Sequence, residues 1–434
     1  MKKCVIPKSS CLGRHPHRTD RKGGQNACMK ILMINKFLYP RGGAESYVLQ
    51  LGECLRTAGH TVEFFGMYDE KNTVGNTTGQ YTQNMDFHAK AAERFLYPFK
   101  IIYSHMAKKK LGRVLDSFRP DVVHMNNINF QLTPSVIYAV KKRNIPLVQT
   151  VHDYQMICPN HLLYNFAENR PCAKCVTGSK LNCFRYRCIH ASAVKSLLGT
   201  MEAWLYAALK TYKLVDLYIC PSRFLEQKLI CAHDFYKDKT YRLCNFIEKP
   251  KVCGAYDGQN PYIVYVGRLS KEKGISLLAQ AARLLPDYRF VAIGNGPDAA
   301  ELEGIPNVEL RGFLTGEALT AAVAAAKALI LPSVCYENCP LTILEAHAMG
   351  VPVITMNSGG MAELVEDDVT GTLIHIPTPV GVAEAVLRLT EDEDTYRHIR
   401  ENCKRASQSI MTAQTYADAL TAQYQGLIAR RKQP

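Results

Sequence analysis

Short runs of consecutive apolar residues alternate with amphipathic stretches along most of the chain. In the first half, residues 31–35, 61–66, 121–126, 146–151 and 217–221 read as strands. In the second half, residues 262–267, 289–294, 308–311, 328–332, 353–356 and 371–375 do. Their apolar positions are consecutive rather than alternate, the pattern of a parallel sheet covered on both faces. Helical patterns between them complete a strand–helix rhythm, so the fold class is α/β, and the rhythm occurs twice. It breaks over residues 245–260, where Pro250, Gly254 and Gly258 interrupt a stretch without periodicity. The expected organisation is an extension over 1–28, a first domain over 29–245, a second over 246–410, and a closing helical segment over 411–434. Open α/β sheets bind ligands at the carboxyl ends of their strands, so a hinge at the break sets two such edges across a cleft.

Composition refines this picture. A chain of 434 residues exceeds one ordinary core. The most tempting apolar stretch, residues 318–331, contains Lys327 and divides into helix then strand, so no membrane span is expected. The extension carries Lys2, Lys3, Lys8, Arg14, Arg18, Arg21 and Lys22 against Asp20, which is 7 − 1 = +6 of the net +14. It lacks the apolar segment of a signal peptide, and Met29 opens a natural first strand, which is where the working start of the protein is expected. The remaining +8 suits phosphorylated substrates or an anionic membrane surface. Sixteen cysteines without an export signal point to a reducing, cytoplasmic setting with few disulfides. Cys54, Cys220 and Cys335 read as small core residues.

The chemistry concentrates at two strand-to-helix junctions. After the run ending near Pro332 come Glu337 and Glu345, with Pro340 suited to the first helical position between them. Glu337 then precedes the helix and Glu345 leans back toward its N-terminus, so both carboxylates face one small volume. The free N–H groups and positive dipole end there favour a phosphate. Carboxylates would repel it unless they bind something else, and sugar hydroxyls fit, which indicates a nucleotide-sugar site. The segment Gly267-Arg268-Leu269-Ser270-Lys271-Glu272-Lys273-Gly274 adds a guanidinium that can fork onto phosphate oxygens and an ammonium point charge. An exposed Arg or Lys is usually solvated and a helical Glu is usually surface decoration. The weight lies in their joint order on matching junctions.

These junctions occur with Gly42-Gly43-Ala44-Glu45, Thr150-Val151-His152-Asp153, Gly294-Asn295-Gly296 and Gly359-Gly360-Met361-Ala362-Glu363 in a fixed order. With them, the chain from Met29 to about residue 425 resembles the family 4 glycosyltransferases, retaining enzymes of the GT-B fold, in which two Rossmann-like doubly wound domains face across a cleft. The resemblance implies Glu337 and His152 at the transferred sugar. It implies donor contacts from Gly43, Arg268, Lys273, Gly294, Phe313, Asn338, Leu341, Thr342 and Glu345, with Leu341 and Thr342 supplying the N–H groups that Pro340 lacks. The bland readings are a structural histidine at 152 and ordinary turn glycines. The resemblance further implies a nucleoside-diphosphate sugar donor, a glycan or lipid-linked acceptor as in lipopolysaccharide and other surface-polysaccharide assembly, and a last helix that crosses back to the first domain. No metal cofactor is expected for catalysis, and no Asp-x-Asp motif lies among the cleft segments.

One stretch departs from that pattern. In the insertion 158–190 the α/β rhythm stops, and Cys172, Cys175, Cys183 and Cys188 stand among polar and basic residues, with Cys158 spare. The spacing suits a tetrahedral thiolate site, structural zinc first, with an iron–sulfur cluster or unliganded thiols as alternatives. Four thiolates leave no open position, so a catalytic role is not expected. Over residues 98–114, Phe99, Ile102, Tyr103, Met106 and Leu111 fall near helical spacing beside Lys100, Lys108, Lys109, Lys110 and Arg113. This is either a core-facing stripe or a basic face for peripheral contact with the inner membrane surface. Competing functions are an epimerase or phosphorylase on the same fold, and a nucleic-acid binder built on the basic extension and the cysteines. The extension interleaves no aromatics with its cations and the glutamate pair would go unused, so no nucleic-acid partner is expected.

Overall fold

The computed structural model describes residues 28–83, 102–129, 132–248 and 261–432, together with Pro250, Tyr256 and Gly258. The first domain contains β1 (Lys30–Ile34), β2 (Thr61–Phe65), β3 (Val122–Met125) and β4 (Leu147–Thr150). A small antiparallel pair follows, β5 (Tyr164–Asn165) and β6 (Arg170–Pro171), and then β7 (Leu217–Cys220) and β8 (Thr240–Arg242). Its sheet is parallel throughout, in the order β2-β1-β3-β4-β7-β8. The second domain contains β9 (Tyr262–Val266), β10 (Arg289–Ile293), β11 (Val308–Gly312), β12 (Ala328–Leu331), β13 (Val353–Met356) and β14 (Gly371–Ile374). These form a second parallel sheet, β11-β10-β9-β12-β13-β14. Central strands such as β3, β4, β12 and β13 are buried at every position, the physical counterpart of their mostly apolar sequences; the buried His124, Gln149, Thr150 and Thr355 are the polar exceptions.

In both sheets the strand order reverses at an internal point, between β1 and β3 in the first and between β9 and β12 in the second. Crevices at strand carboxyl ends open at such points. The last helix, Ala413–Lys432, packs on the first domain, where Tyr416, Leu420, Tyr424 and Leu427 share a core with β1 and β2. Tyr416 and Tyr47 hydroxyls lie 2.8 Å apart, and the Tyr424 hydroxyl meets His124 Nδ1 at 2.5 Å.

Three expectations change. The helix expected over 98–114 runs His105–Phe118, capped by Ser104 Oγ accepting from the Ala107 N–H at 3.1 Å; residues 98–101 lie outside the described residues. Its buried stripe is Ala107, Leu111, Val114, Leu115 and Phe118, and Met106 faces outward. Lys110 Nζ donates to the Tyr81 carbonyl at 2.7 Å and Lys108 lies over the Tyr103 and Tyr138 rings, so this helix is an ordinary core-facing one with two cations spent on the protein. The edge strand β8 was not expected, because Thr240, Tyr241 and Arg242 are half-buried or exposed and carry no apolar run. Cys231 is disulfide-bonded, against the expectation from overall cysteine usage, which ranks compartments and not single positions. Among the described residues no helix is long and apolar enough to cross a membrane.

Candidate active site at the domain junction

The loops after β9 and β12 are sewn together by their backbones. The Glu272 carbonyl accepts from the Val334 and Cys335 N–H groups at 3.0 and 3.1 Å. Between them Gly274 has φ +80°, and a Cβ there would lie 1.9 Å from the Pro332 carbonyl oxygen, so only glycine lets helix Ile275–Leu284 start this close to the end of β12. This docking brings Lys273 Nζ into an ion pair with Glu337 Oε1. Ser333 Oγ donates to the same oxygen at 3.2 Å, and the Cys335 thiol lies 3.8 Å from it. Burial by itself would lower the Lys273 pKa, but the Glu337 carboxylate beside it, with Cys335, more than offsets this and holds it above the ordinary value. Lys273 is a fixed cation throughout the neutral range.

Helix Leu341–Ala348 begins next to this pair. Pro340 is its N-cap, with ψ 123°, and not its first helical residue as expected; no side chain caps the helix. Leu341 and Thr342 therefore point uncapped N–H groups at the junction. Glu345 sits one turn further in, where burial raises its pKa, and its carboxylate makes no side-chain hydrogen bond or ion pair among the described residues. Across the junction, the Cβ position of Gly43 lies 3.7 Å from Leu341 Cδ1. Gly43 is the first residue of helix Gly43–Thr57, so two helix N-termini from different domains meet here, a strong preference for an anion. Arg268, in the loop after β9, is exposed and its guanidinium makes no hydrogen bond or ion pair among the described residues.

The family models agree with this geometry. The model described as Glycosyltransferase Family 4 matches residues 41–249, and that described as Glycosyl transferases group 1 matches residues 249–406, so together they span both domains and both paired loops. The chain belongs to the family 4 glycosyltransferases. A relative from Klebsiella pneumoniae, described as an uncharacterized 42.6 kDa protein in the cps region, is 25% identical over 354 residues, 77% of this chain and 87% of that protein. The alpha-D-kanosaminyltransferase of Streptomyces kanamyceticus is 31% identical over 153 residues, 33% of this chain and 39% of that enzyme. In structure, Anabaena HepE in complex with UDP-glucose superposes with a TM-score of 0.67 over 92% of this chain and 100% of that one, at 18% identity, which speaks for the shared GT-B fold.

In this glycosyltransferase the remaining expected site residues divide into those at the strand ends and those that clasp the two domains. His152 lies at the end of β4, donates from Nε2 to Asn126 Oδ1 at 2.9 Å, and meets the Tyr47 ring edge-on. Burial pushes its pKa down to about 4, so it is a neutral imidazole at pH 7. Asn338, expected at the donor, spends its amide N–H on the His152 carbonyl at 2.7 Å and so clasps the domains. The Gly359-Gly360 pair serves the same contact: a Cβ on Gly360 would sit 1.5 Å from the Asn338 carbonyl oxygen. Glu363 reaches across to accept from the Arg223 and Phe224 N–H groups at 2.9 and 2.5 Å, capping a first-domain helix. Gly294 seats the neighbouring loop, since its Cβ would lie 1.9 Å from the Gly267 carbonyl oxygen, and its N–H donates to Gly312 at 2.7 Å. Phe313, just past β11, is largely exposed on the same edge.

Several junction residues were not singled out by sequence. Lys36 follows β1 at the first sheet's reversal point, and its pKa falls to about 8 through burial and the nearby Arg41, opposed by Glu45 and Asp153. A lysine just past the first strand of an open sheet was the available signal. Tyr47 and His124 were invisible because they act through the last helix and through Thr150, which meets the Tyr47 hydroxyl at 3.0 Å and His124 Nε2 at 2.8 Å. In the insertion, Cys175, Cys183 and Cys188 share one buried cluster with Tyr186 and Ile189, Cys172 is half-buried, and Cys158 joins the first-domain core. Among the described residues no three His, Cys, Asp or Glu groups are arranged to hold a metal ion, so a site here would need the thiols to close around it.

Proposed function

We propose that this glycosyltransferase moves a sugar, with retention of anomeric configuration, from a nucleoside-diphosphate sugar to a hydroxyl of a glycan or lipid-linked acceptor in cell-surface polysaccharide assembly. The observation that carries the reading is the meeting of two helix N-termini beside the Lys273–Glu337 pair, with Glu345 one turn inside the second helix. Cations and N–H groups suit a diphosphate, and carboxylates suit the hydroxyls on either side of it. HepE was solved in complex with UDP-glucose and the Klebsiella relative is described as a protein in the cps region, which supports the donor class and the setting.

On this reading the diphosphate lies against the N–H groups of Leu341 and Thr342, Arg268 and Lys273. Glu345 accepts from the ribose hydroxyls, and Glu337 from hydroxyls on the reacting face of the sugar. The bond from the anomeric carbon to the phosphate oxygen breaks, the acceptor oxygen bonds to that carbon from the same face, and its proton passes to the departing phosphate. Negative charge growing on the diphosphate meets preorganised cations and dipoles, and no step calls on a divalent ion. The cysteine insertion is proposed to take a structural zinc, on the strength of its gathered thiols.

The test is incubation with a panel of nucleoside-diphosphate sugars and a hydroxyl acceptor, followed by NMR of the new glycosidic linkage. A product with the donor's anomeric configuration is expected. An inverted product overturns retention, and phosphate-dependent turnover or epimerised donor without transfer overturns the reaction class.

A further inference from the structure

Helix Ala193–Ala208 is inside out. Val194, Leu197, Met201 and Trp204 are 69%, 40%, 43% and 46% exposed, and their 3-4-3 spacing confines them to an arc of about 80° at 100° per residue. The side turned inward is polar: Ser196, Thr200, Glu202 and Tyr206 are buried. Ser196 Oγ accepts from the Ile189 N–H at 3.0 Å, Gln155 Nε2 donates to Glu202 at 3.4 Å, and the Tyr206 hydroxyl donates to the Ile102 carbonyl at 2.6 Å. Hydrogen bonds therefore hold the helix in place, and among the described residues nothing covers its apolar arc. Helix Leu181–Arg185 packs beside it and exposes Leu181 and Phe184 as well. Exposed apolar side chains gathered on one arc mark an interaction surface.

Charge names it. From residue 179 to residue 213 the sole acidic side chain is Glu202, which is buried, while Arg185, Arg187, Lys195 and Lys210 are exposed. We propose that this surface docks the enzyme on an anionic lipid bilayer, with the apolar arc entering the interface and the cations resting on headgroups. A tryptophan within the arc suits that boundary. A second copy of a chain of net charge +14 would set like charges against this rim, which disfavours self-association as the occupant. The surface is tied to the junction, because Gln155 lies three residues past His152 and bonds Glu202. Docked this way, the His152 side of the cleft stays near the headgroups; that consequence alone rests on the proposed lipid-linked acceptor.

Trp204 is the chain's only tryptophan, so its emission reports this surface directly. The full chain is titrated with vesicles of phosphatidylglycerol mixed with phosphatidylcholine, and with phosphatidylcholine alone. The anionic vesicles should shift Trp204 emission to the blue and co-float with the protein, and both effects should weaken with salt. Leu197→Glu with Met201→Glu, or Arg185→Glu with Arg187→Glu, should weaken binding about tenfold or more while transfer to a soluble acceptor is kept. Flotation without a Trp204 shift would place lipid contact elsewhere and overturn the assignment. So would emission already blue-shifted in the lipid-free monomer, or a shift that follows protein concentration, since the face would then be covered by the chain itself or by a second copy. Loss of transfer with vesicle binding intact would count against the glycosyl-transfer reading and leave the docking surface standing.

Discussion

Replacing Lys273 by methionine should show that the two paired loops hold each other through charge. The Lys273 and Glu337 side chains are 29% and 20% exposed, so the pair lies between a surface bridge and a buried one. Surface pairs contribute up to about 1 kcal/mol, and breaking a fully buried pair costs about 3–5 kcal/mol. About 2 kcal/mol is expected for Lys273→Met, which leaves Glu337 with the Ser333 hydroxyl at 3.2 Å as its remaining close donor. Glu337→Gln should cost about 1–2 kcal/mol, because its amide oxygen can still accept from Lys273. The double variant should cost less than the sum by about 1–2 kcal/mol, since it leaves no lone charge in the junction. Urea unfolding followed by circular dichroism measures all four proteins. The pair's folded-state Lys273 pKa is raised above 10.5, so its contribution is complete below that value and is lost only as pH climbs past it. The cycle is therefore insensitive to pH near neutrality. Single costs that add to within about 0.5 kcal/mol would refute the coupling.

Glu345→Ala should weaken nucleoside-diphosphate binding by ~1–3 kcal/mol in calorimetry through lost charged hydrogen bonds to ribose, and unchanged affinity would remove it from the site. Glu202 has its pKa raised to about 8 by burial from an ordinary 4.5, so the fold binds a proton that the unfolded chain gives up. The resulting stability is complete below about 4.5 and is lost as pH rises toward 8, at about 1 kcal/mol per unit. Glu202→Gln should therefore gain on wild type as pH is raised across neutrality in urea titrations, and a constant difference would contradict the burial argument. Elemental analysis of the purified protein should find one zinc per chain, and a metal-free, stable, active preparation would rule that ion out.

Much of the fold was legible because a parallel strand buried on both faces is mostly apolar, as β12 is throughout and as β3 and β13 are apart from His124 and Thr355. What failed to show in sequence was structure lacking that constraint: the polar edge strand β8, and the two-residue pair β5 and β6 inside the insertion. The Lys273–Glu337 pair was within reach, since it joins loops after adjacent strands of one sheet. The clasp from Asn338 to the His152 carbonyl was not, nor was the capping of Arg223 and Phe224 by Glu363, because both depend on how two separately folded sheets dock. Pro340 was misplaced by one residue, since its φ of −61° is compatible with both positions and its extended ψ of 123° makes it the N-cap here. The stripe over 98–114 was misjudged because counting began before the Ser104 cap, which shifted Met106 from surface to core. The inside-out helix Ala193–Ala208 escaped because amphipathicity by itself does not say which face is inward.

The central claim is that Glu337 serves the transferred sugar while its neighbours hold the diphosphate. It is tested most directly by measuring nucleoside-diphosphate affinity and sugar transfer on the same preparations of wild type and Glu337→Gln. The account predicts affinity within about threefold of wild type and transfer reduced about a hundredfold or more. A Glu337→Gln enzyme that transfers sugar at the wild-type rate, or a wild-type enzyme that binds no nucleoside diphosphate, would contradict it.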